Sequence, residues 1–161
     1  MSIVVSILQQ KLFLNNENNT VIAEYPISTA RNGAGEKNGS EQTPRGSHII
    51  CEKIGDKMPI FTVFKARKST GEIFSPELEK QYPDRDWILS RILWLSGTEV
   101  GVNSGGNVDT RSRYIYIHGT HDEKNIGIPN SHGCIRMRNT DLIDLFERVV
   151  VGEAVIITNA N

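Results

Sequence analysis

Three of the four histidines in this 161-residue chain fall between His118 and His132, and Cys134 lies two residues further on. His118 ends the run Arg113-Tyr114-Ile115-Tyr116-Ile117 and is followed by Gly119-Thr120-His121. Cys134 ends Ser131-His132-Gly133 and is followed by Ile135-Arg136-Met137. A free thiol is mostly protonated at neutral pH, whereas the thiolate is the nucleophile. A neighbouring imidazole can take that proton and hold the ion pair. Sixteen residues separate His118 from Cys134, enough for a loop to fold back and join them. Glycine beside the sulfur permits a sharp turn whose N–H groups face a developing oxyanion, each donor worth about 3–4 kcal/mol in acyl transfer. The same segment leaves two other readings open. His118, His121, His132 and Cys134 offer nitrogen and sulfur donors for Zn²⁺, although their spacing matches no common zinc module. A buried histidine beside an inert thiol is the plainest alternative.

The elements that must position these residues read as mainly β. Residues 3–8, 11–14 and 20–25 alternate as short strands, the last two forming a hairpin across the Asn-rich turn 15–19. Residues 28–46 form a long Gly-bearing loop of the kind that usually carries function. Residues 47–53, 60–65 and 87–95 are further strands, and 72–86, with Pro76 and Pro83, is read as irregular. Residues 113–118 are dense in aromatic and β-branched side chains, so His118 sits at a strand end. One helix is expected at about 140–150: Leu142, Leu145, Phe146 and Val149 form an apolar stripe. Asn139 or Thr140 serves as its cap, and Asp141 lies in its first turn. Gly152 ends it, and 154–158 is the last strand. The expected architecture is a single domain over 1–161, a mixed β-sandwich or barrel-like fold with that one helix.

Composition narrows the function classes. With 38% hydrophobic and 23% charged residues, a chain of this length buries enough surface to need no disulfide scaffold. Eighteen Lys and Arg against nineteen Asp and Glu give a net charge of −1, which argues against nucleic acid as the default partner. No run is long enough for a membrane segment. Residues 1–8 are apolar but short and lack a positive start, so they read as a strand and not a secretory signal. That places the chain in the cytoplasm, or in the periplasm or cell envelope if it is exported by another route or trimmed. Cys51 reads as a small buried hydrophobe, and both cysteines as free thiols. His48 is structural and His121 a solvated loop residue. Trp87 and Trp94 are core residues rather than a sugar platform. Arg111, Arg113, Arg136 and Arg138 are dispersed charge rather than one basic patch, since alternate strand positions face opposite ways.

His118-Gly119-Thr120, Ser131-His132-Gly133-Cys134-Ile135-Arg136-Met137, Asn139 and Asp141 together resemble the signature of YkuD-type L,D-transpeptidases. Tyr25-Pro26-Ile27-Ser28-Thr29-Ala30, Thr43-Pro44-Arg45-Gly46 and Gly152-Glu153-Ala154-Val155 extend the resemblance along nearly the whole chain. It implies a cysteine enzyme acting on bacterial peptidoglycan, with no metal or organic cofactor. Cys134 would be the nucleophile, His118 the base and later the proton donor, and the Gly119 carbonyl the group that orients the imidazole. N–H groups near His132, Gly133 and Cys134 would form the oxyanion hole. Ser131 and His132 would shape the loop and the substrate site, and Arg136 would meet a substrate carboxylate or brace the loop. The implied donor is a tetrapeptide stem that loses its terminal D-Ala. The acceptor is an amine of a second stem or of a protein. Water as acceptor would make an L,D-carboxypeptidase, and a chain that only binds peptidoglycan is the non-catalytic alternative. Oligomeric state is not legible.

Overall fold

The computed structural model describes residues 1–160. Its ten strands form one sheet that curls back on itself. In chain order they are β1 (Ser2–Ser6), β2 (Lys11–Asn15), β3 (Val21–Ser28), β4 (Gly46–Ile54), β5 (Thr62–Lys65), β6 (Lys68–Ile73), β7 (Ile88–Gly97), β8 (Tyr116–Gly119), β9 (Ile135–Met137) and β10 (Ala154–Thr158). Neighbours run β4-β10-β1-β2-β3-β9-β8-β7, and β7 also pairs with β4, which closes a barrel. Closure removes the unpaired edges that an open sheet exposes. The hairpin β5–β6 hangs from the β7 edge outside the ring. Two pairings are parallel, β1 with β10 and β8 with β9.

Alternation decides which side chains face inward. Ile3 and Val5 of β1, Leu12 and Leu14 of β2, and Val155 and Ile157 of β10 are buried in one core cluster. Ile117, Ile135 and Met137 from β8 and β9 join it. Each such side chain contributes about 1.5–3 kcal/mol on leaving water. The anticipated helix is α2 (Asn139–Arg148), and α1 (Pro76–Gln81) precedes it in the chain. Leu142, Leu145 and Phe146 of α2 pack into the same core.

Three expectations are corrected. Residues 72–86 are not irregular throughout: β6 runs to Ile73, and α1 follows, with Ser75 Oγ accepting from the Leu78 N–H and Pro76 in its first turn. Neither Asn139 nor Thr140 caps α2. Arg138 holds the cap position without a side-chain bond, and Asn139 points into the protein. Cys51 is half-buried rather than buried, at the bulge where β4 shifts register against β7. Both cysteines are free thiols.

The C-terminal end of α2 is held by a lysine from the barrel wall. Lys53 Nζ donates to the carbonyls of Phe146 and Val149, both at 2.7 Å, and lies 4.2 Å from the Phe146 ring centroid. A cation there satisfies carbonyls that the helix leaves open and opposes the negative end of its dipole. Lys53→Met keeps the aliphatic stem but leaves those carbonyls unpaired. Urea denaturation should show a loss of about 1–2 kcal/mol, and an unchanged midpoint would remove this role.

Candidate active site

The parallel ladder between β8 and β9 places the chemistry. Ile117 pairs with Ile135, His118 with Arg136 and Gly119 with Met137. Successive side chains on a strand point to opposite faces. Ile117, Ile135 and Met137 therefore enter the core, while Tyr116, His118 and Arg136 face outward with Cys134. All four outward residues line one cavity of about 480 Å³. Cys134 lies one step before Ile135, so it stands beside Tyr116, whose N–H donates to its sulfur at 3.3 Å. His118 is two residues further along that face.

The imidazole is fully buried and its orientation is fixed. His118 Nδ1 lies 2.7 Å from the Gly119 carbonyl. A carbonyl can only accept, so Nδ1 carries the proton and Nε2 keeps its lone pair. Burial lowers the His118 pKa, opposed by the charge of Asp86 and by the Gly119 bond. Burial pushes the Cys134 thiol up to about 12, against the Tyr116 amide and the cations Arg136 and Arg113. Desolvation thus outweighs the nearby charges at both groups. Both shifts favour a neutral thiol and a neutral imidazole over the ion pair that an imidazole can hold. The S–H meanwhile points to the Tyr114 carbonyl at 3.4 Å, which a left-handed Tyr114 (φ 57°) aims at it. Proton transfer to His118 would then accompany attack instead of preceding it.

The loop before Cys134 is laced to the long segment 29–45. Ser131 Oγ donates to the Cys134 carbonyl at 2.6 Å and accepts from the Gly133 N–H at 3.2 Å. That bond corrects one expectation: the Gly133 amide is committed inside the loop. Of the three loop amides, those of His132 and Cys134 show no protein acceptor among the described residues. Gly133 has φ 134°, and a Cβ there would press on Ile115 at 3.1 Å and the Gln42 carbonyl at 3.3 Å. Thr43 Oγ1 donates to the Gly133 carbonyl at 2.9 Å and accepts from the Ala30 N–H at 2.9 Å. The Ser131 N–H donates to the Thr29 carbonyl, and the Arg31 N–H to the Ser131 carbonyl. Arg113 ties the far side of the segment, its Nη2 2.6 Å from the Gln42 carbonyl.

A second network braces Gly119 from behind. Asn139 is fully buried. Its Nδ2 donates to the Thr120 carbonyl at 2.8 Å and to Glu123 Oε2 at 3.1 Å, and its Oδ1 accepts from Ser90 Oγ at 2.6 Å. The Asn139 N–H also donates to Glu123 Oε2, at 2.7 Å, so Glu123 supplies the helix-end acceptor that Asn139 was expected to be. A Cβ on Gly119 would overlap Asn139 Oδ1 and the Leu89 carbonyl. Glycine is thus required where the orienting carbonyl sits.

Of the residues singled out in the sequence, Cys134, His118, Ser131, His132 and Arg136 meet at this cavity, while Gly119 and Gly133 act on them through their backbone bonds. His132 is exposed where it lines the cavity. Arg136 sits two steps beyond the sulfur on the same face, paired with Asp86 at 3.5 Å. His121 is not a solvated loop residue: its ring packs by Phe74 and Trp87, and its buried Nδ1 has no partner. It lines other recesses, and among the described residues no three His, Cys, Asp or Glu converge as metal ligands. Trp87 is a core residue, whereas Trp94 is only half-buried, with Arg67 and Arg111 over its ring. Thr43, Arg113 and Asn139 were not assigned these roles from the sequence.

The YkuD family description, L,D-transpeptidase catalytic domain, matches residues 1–157. YqjB of Bacillus subtilis (strain 168), which carries an L,D-transpeptidase name, is 44% identical over 52 residues, 32% of this chain and 30% of that protein. YbiS of Escherichia coli (strain K12), similarly named, is 51% identical over 43 residues, 27% of this chain and 14% of that protein. The matched stretches thus span under a third of either relative. Among solved structures, LD transpeptidase LdtMt1 in complex with imipenem has a TM-score of 0.58 at 19% identity, covering 97% of this chain and 57% of that one. L,D-transpeptidase 3 from Mycobacterium tuberculosis, with a faropenem-derived adduct, has a TM-score of 0.58 at 16% identity, covering 98% and 59%. At these identities the likeness speaks to the fold: a mainly β barrel or sandwich with a packed helix.

A neutral resting pair has a spectroscopic consequence. The absorbance of thiolate at 240 nm, taken as the difference between wild type and Cys134→Ala, should stay flat from pH 6 to 8 and rise only in strong alkali. A thiolate plateau at pH 7 would instead show a resting ion pair.

Proposed function

Since the chain belongs to the L,D-transpeptidase catalytic-domain family, with residues 1–157 matched, we propose that it is a cysteine acyltransferase acting on peptidoglycan stem peptides. The observation that carries this reading is the shared face of β8 and β9. It puts the Cys134 sulfur and the His118 ring in one cavity, with Nδ1 tied to Gly119 and Nε2 left to accept a proton.

The reaction follows from those groups. As Cys134 Sγ attacks the carbonyl carbon of the third stem residue, its proton passes to His118 Nε2. The imidazolium is stabilised by the Gly119 carbonyl. The oxyanion faces the amides of His132 and Cys134, donors held in place before the charge develops. Collapse breaks the bond to the terminal D-Ala, whose nitrogen takes the proton from His118. A thioester on Cys134 remains. An acceptor amine then attacks that carbonyl, gives its proton to His118, and the C–S bond breaks to restore the thiol. Arg136, nearly buried and on the same face, offers a two-pronged site for a substrate carboxylate. His132 on the rim contacts the incoming chain.

Intact mass spectrometry after incubation with imipenem should show one adduct on wild type and none on Cys134→Ala. His118→Gln should slow its formation by about 10²- to 10⁴-fold. With a defined tetrapeptide muropeptide, a cross-linked dimer identifies an amine acceptor, and a trimmed monomer identifies water. Turnover that survives Cys134→Ala overturns the proposal.

A further inference from the structure

The peptide between Gly133 and Cys134 hangs on a single tether. On one side of it, Ser131 Oγ holds the Gly133 N–H, and on the other the same hydroxyl donates to the Cys134 carbonyl. Between them, the Gly133 carbonyl meets one protein donor among the described residues, Thr43 Oγ1 at 2.9 Å, and the Cys134 amide shows no protein acceptor. Glycine leaves the backbone freer to turn than any other residue. Gly133 already holds φ 134°, where side chains rarely allow the chain to go. In a trans peptide the C=O and the N–H point in opposite directions. Whatever fixes this carbonyl therefore also aims the Cys134 amide.

Thr43 is itself held on every side. It is fully buried. Its N–H donates to the Gly33 carbonyl at 2.9 Å, and its carbonyl accepts from the Gly35 N–H at 2.9 Å. These bonds make an isolated bridge with Ala34. The role of the hydroxyl is fixed as well. The Ala30 N–H can only donate, and it reaches Thr43 Oγ1 at 2.9 Å. The hydroxyl proton is left for the Gly133 carbonyl. Ala30 in turn bridges to Ser131 of the nucleophile loop. A directed chain of bonds thus runs from the Ala30 amide through the Thr43 hydroxyl to the Gly133 carbonyl. It turns that carbonyl towards the 29–45 segment and the Cys134 amide away from it.

We propose that Thr43 is a positioning residue for acyl transfer: its hydroxyl keeps the Gly133–Cys134 peptide in the orientation that presents the Cys134 amide to the developing oxyanion. Without the hydroxyl the peptide can turn over and carry that amide out of reach. The His132 amide belongs to another peptide and stays, so the loss is partial. The sulfur, the His118 ring and the Gly119 carbonyl do not depend on the contact. This rests on the acyl-transfer reading above and adds to it the residue that sets its oxyanion donor.

The test compares two reactions of the same sulfur, both followed by intact mass spectrometry. With imipenem, Cys134 Sγ adds to the lactam carbonyl through an oxyanion, the C–N bond breaks, and the ring nitrogen takes the thiol proton. With iodoacetamide, the S–C bond forms as iodide leaves and the thiol proton passes to His118, and no oxyanion arises. Thr43→Val, close in shape but without the hydroxyl, should lower the maximal acylation rate by about 10- to 100-fold, part of the roughly 10²–10³ carried by one whole donor. The imipenem concentration giving half that rate should change little. Alkylation should keep its wild-type rate and pH dependence. Thr43→Ser restores the hydroxyl and should recover most of the acylation rate. Wild-type acylation in Thr43→Val overturns the proposal. So does alkylation that rises, or that falls as far as acylation, because the loop has then come loose as a whole. A Thr43→Ser variant no faster than Thr43→Val overturns it too. These three results leave the acyl-transfer reading intact, whereas wild type that is alkylated at Cys134 but never acylated overturns both.

Discussion

Three residue pairs between two short parallel strands hold the whole arrangement. Because Ile117 meets Ile135 and His118 meets Arg136, one face of the β8–β9 ladder enters the main core and the other carries His118 and Arg136, with Cys134 packed beside Tyr116 in a smaller apolar cluster. A slip of one residue would turn the imidazole into the barrel and expose two isoleucines. The apolar cost of that slip is what secures the register. The hydrophobic core therefore aligns the reactive groups without touching them, and the closed barrel keeps both strands from sliding.

Burial makes the site difficult to charge, and the surroundings are built around that difficulty. Two arginines and a backbone amide favour the thiolate, and the loss of water still dominates. The balance favours a neutral thiol over a stored thiolate. It fixes the tautomer of the base through Gly119, backs Gly119 with the Ser90–Asn139–Glu123 network, and pins the nucleophile loop with Ser131 and Thr43. Local rules are broken nearby: Ser90 (φ 73°) and Tyr114 (φ 57°) are left-handed without being glycine. Such backbone persists only where the surroundings over-determine it, and it gathers at functional sites.

Much of this was legible in the chain. The alternation of 113–118 marked the strand that carries His118, although that strand runs only from Tyr116 to Gly119 and Arg113 and Tyr114 lie in a turn; Gly133 beside Cys134 marked a turn at the nucleophile. The stripe Leu142, Leu145, Phe146 and Val149 marked the helix. What escaped reading was long-range. Thr43 reaches Gly133 across 90 residues and Arg113 reaches Gln42 across 71, and no local pattern announces either contact. Asn139 was misread because its residue type suits a helix cap, while its side chain was taken by Thr120 and Ser90 instead. The short α1 did leave a signal, Ser75 followed by Pro76 with acids in the first turn, but its prolines were read only as breakers. Spacing also shows only that a thiol and an imidazole can meet, not how dry their meeting place is.

The most direct measurement is the protonation and tautomer of His118 in the resting enzyme, read from long-range ¹H–¹⁵N correlation spectra of uniformly labelled protein at pH 7, with His118→Gln used to assign the ring. The expected result is a neutral ring with its proton on Nδ1 and a bare Nε2. An imidazolium, or a neutral ring protonated on Nε2, would contradict a base held ready by the Gly119 carbonyl.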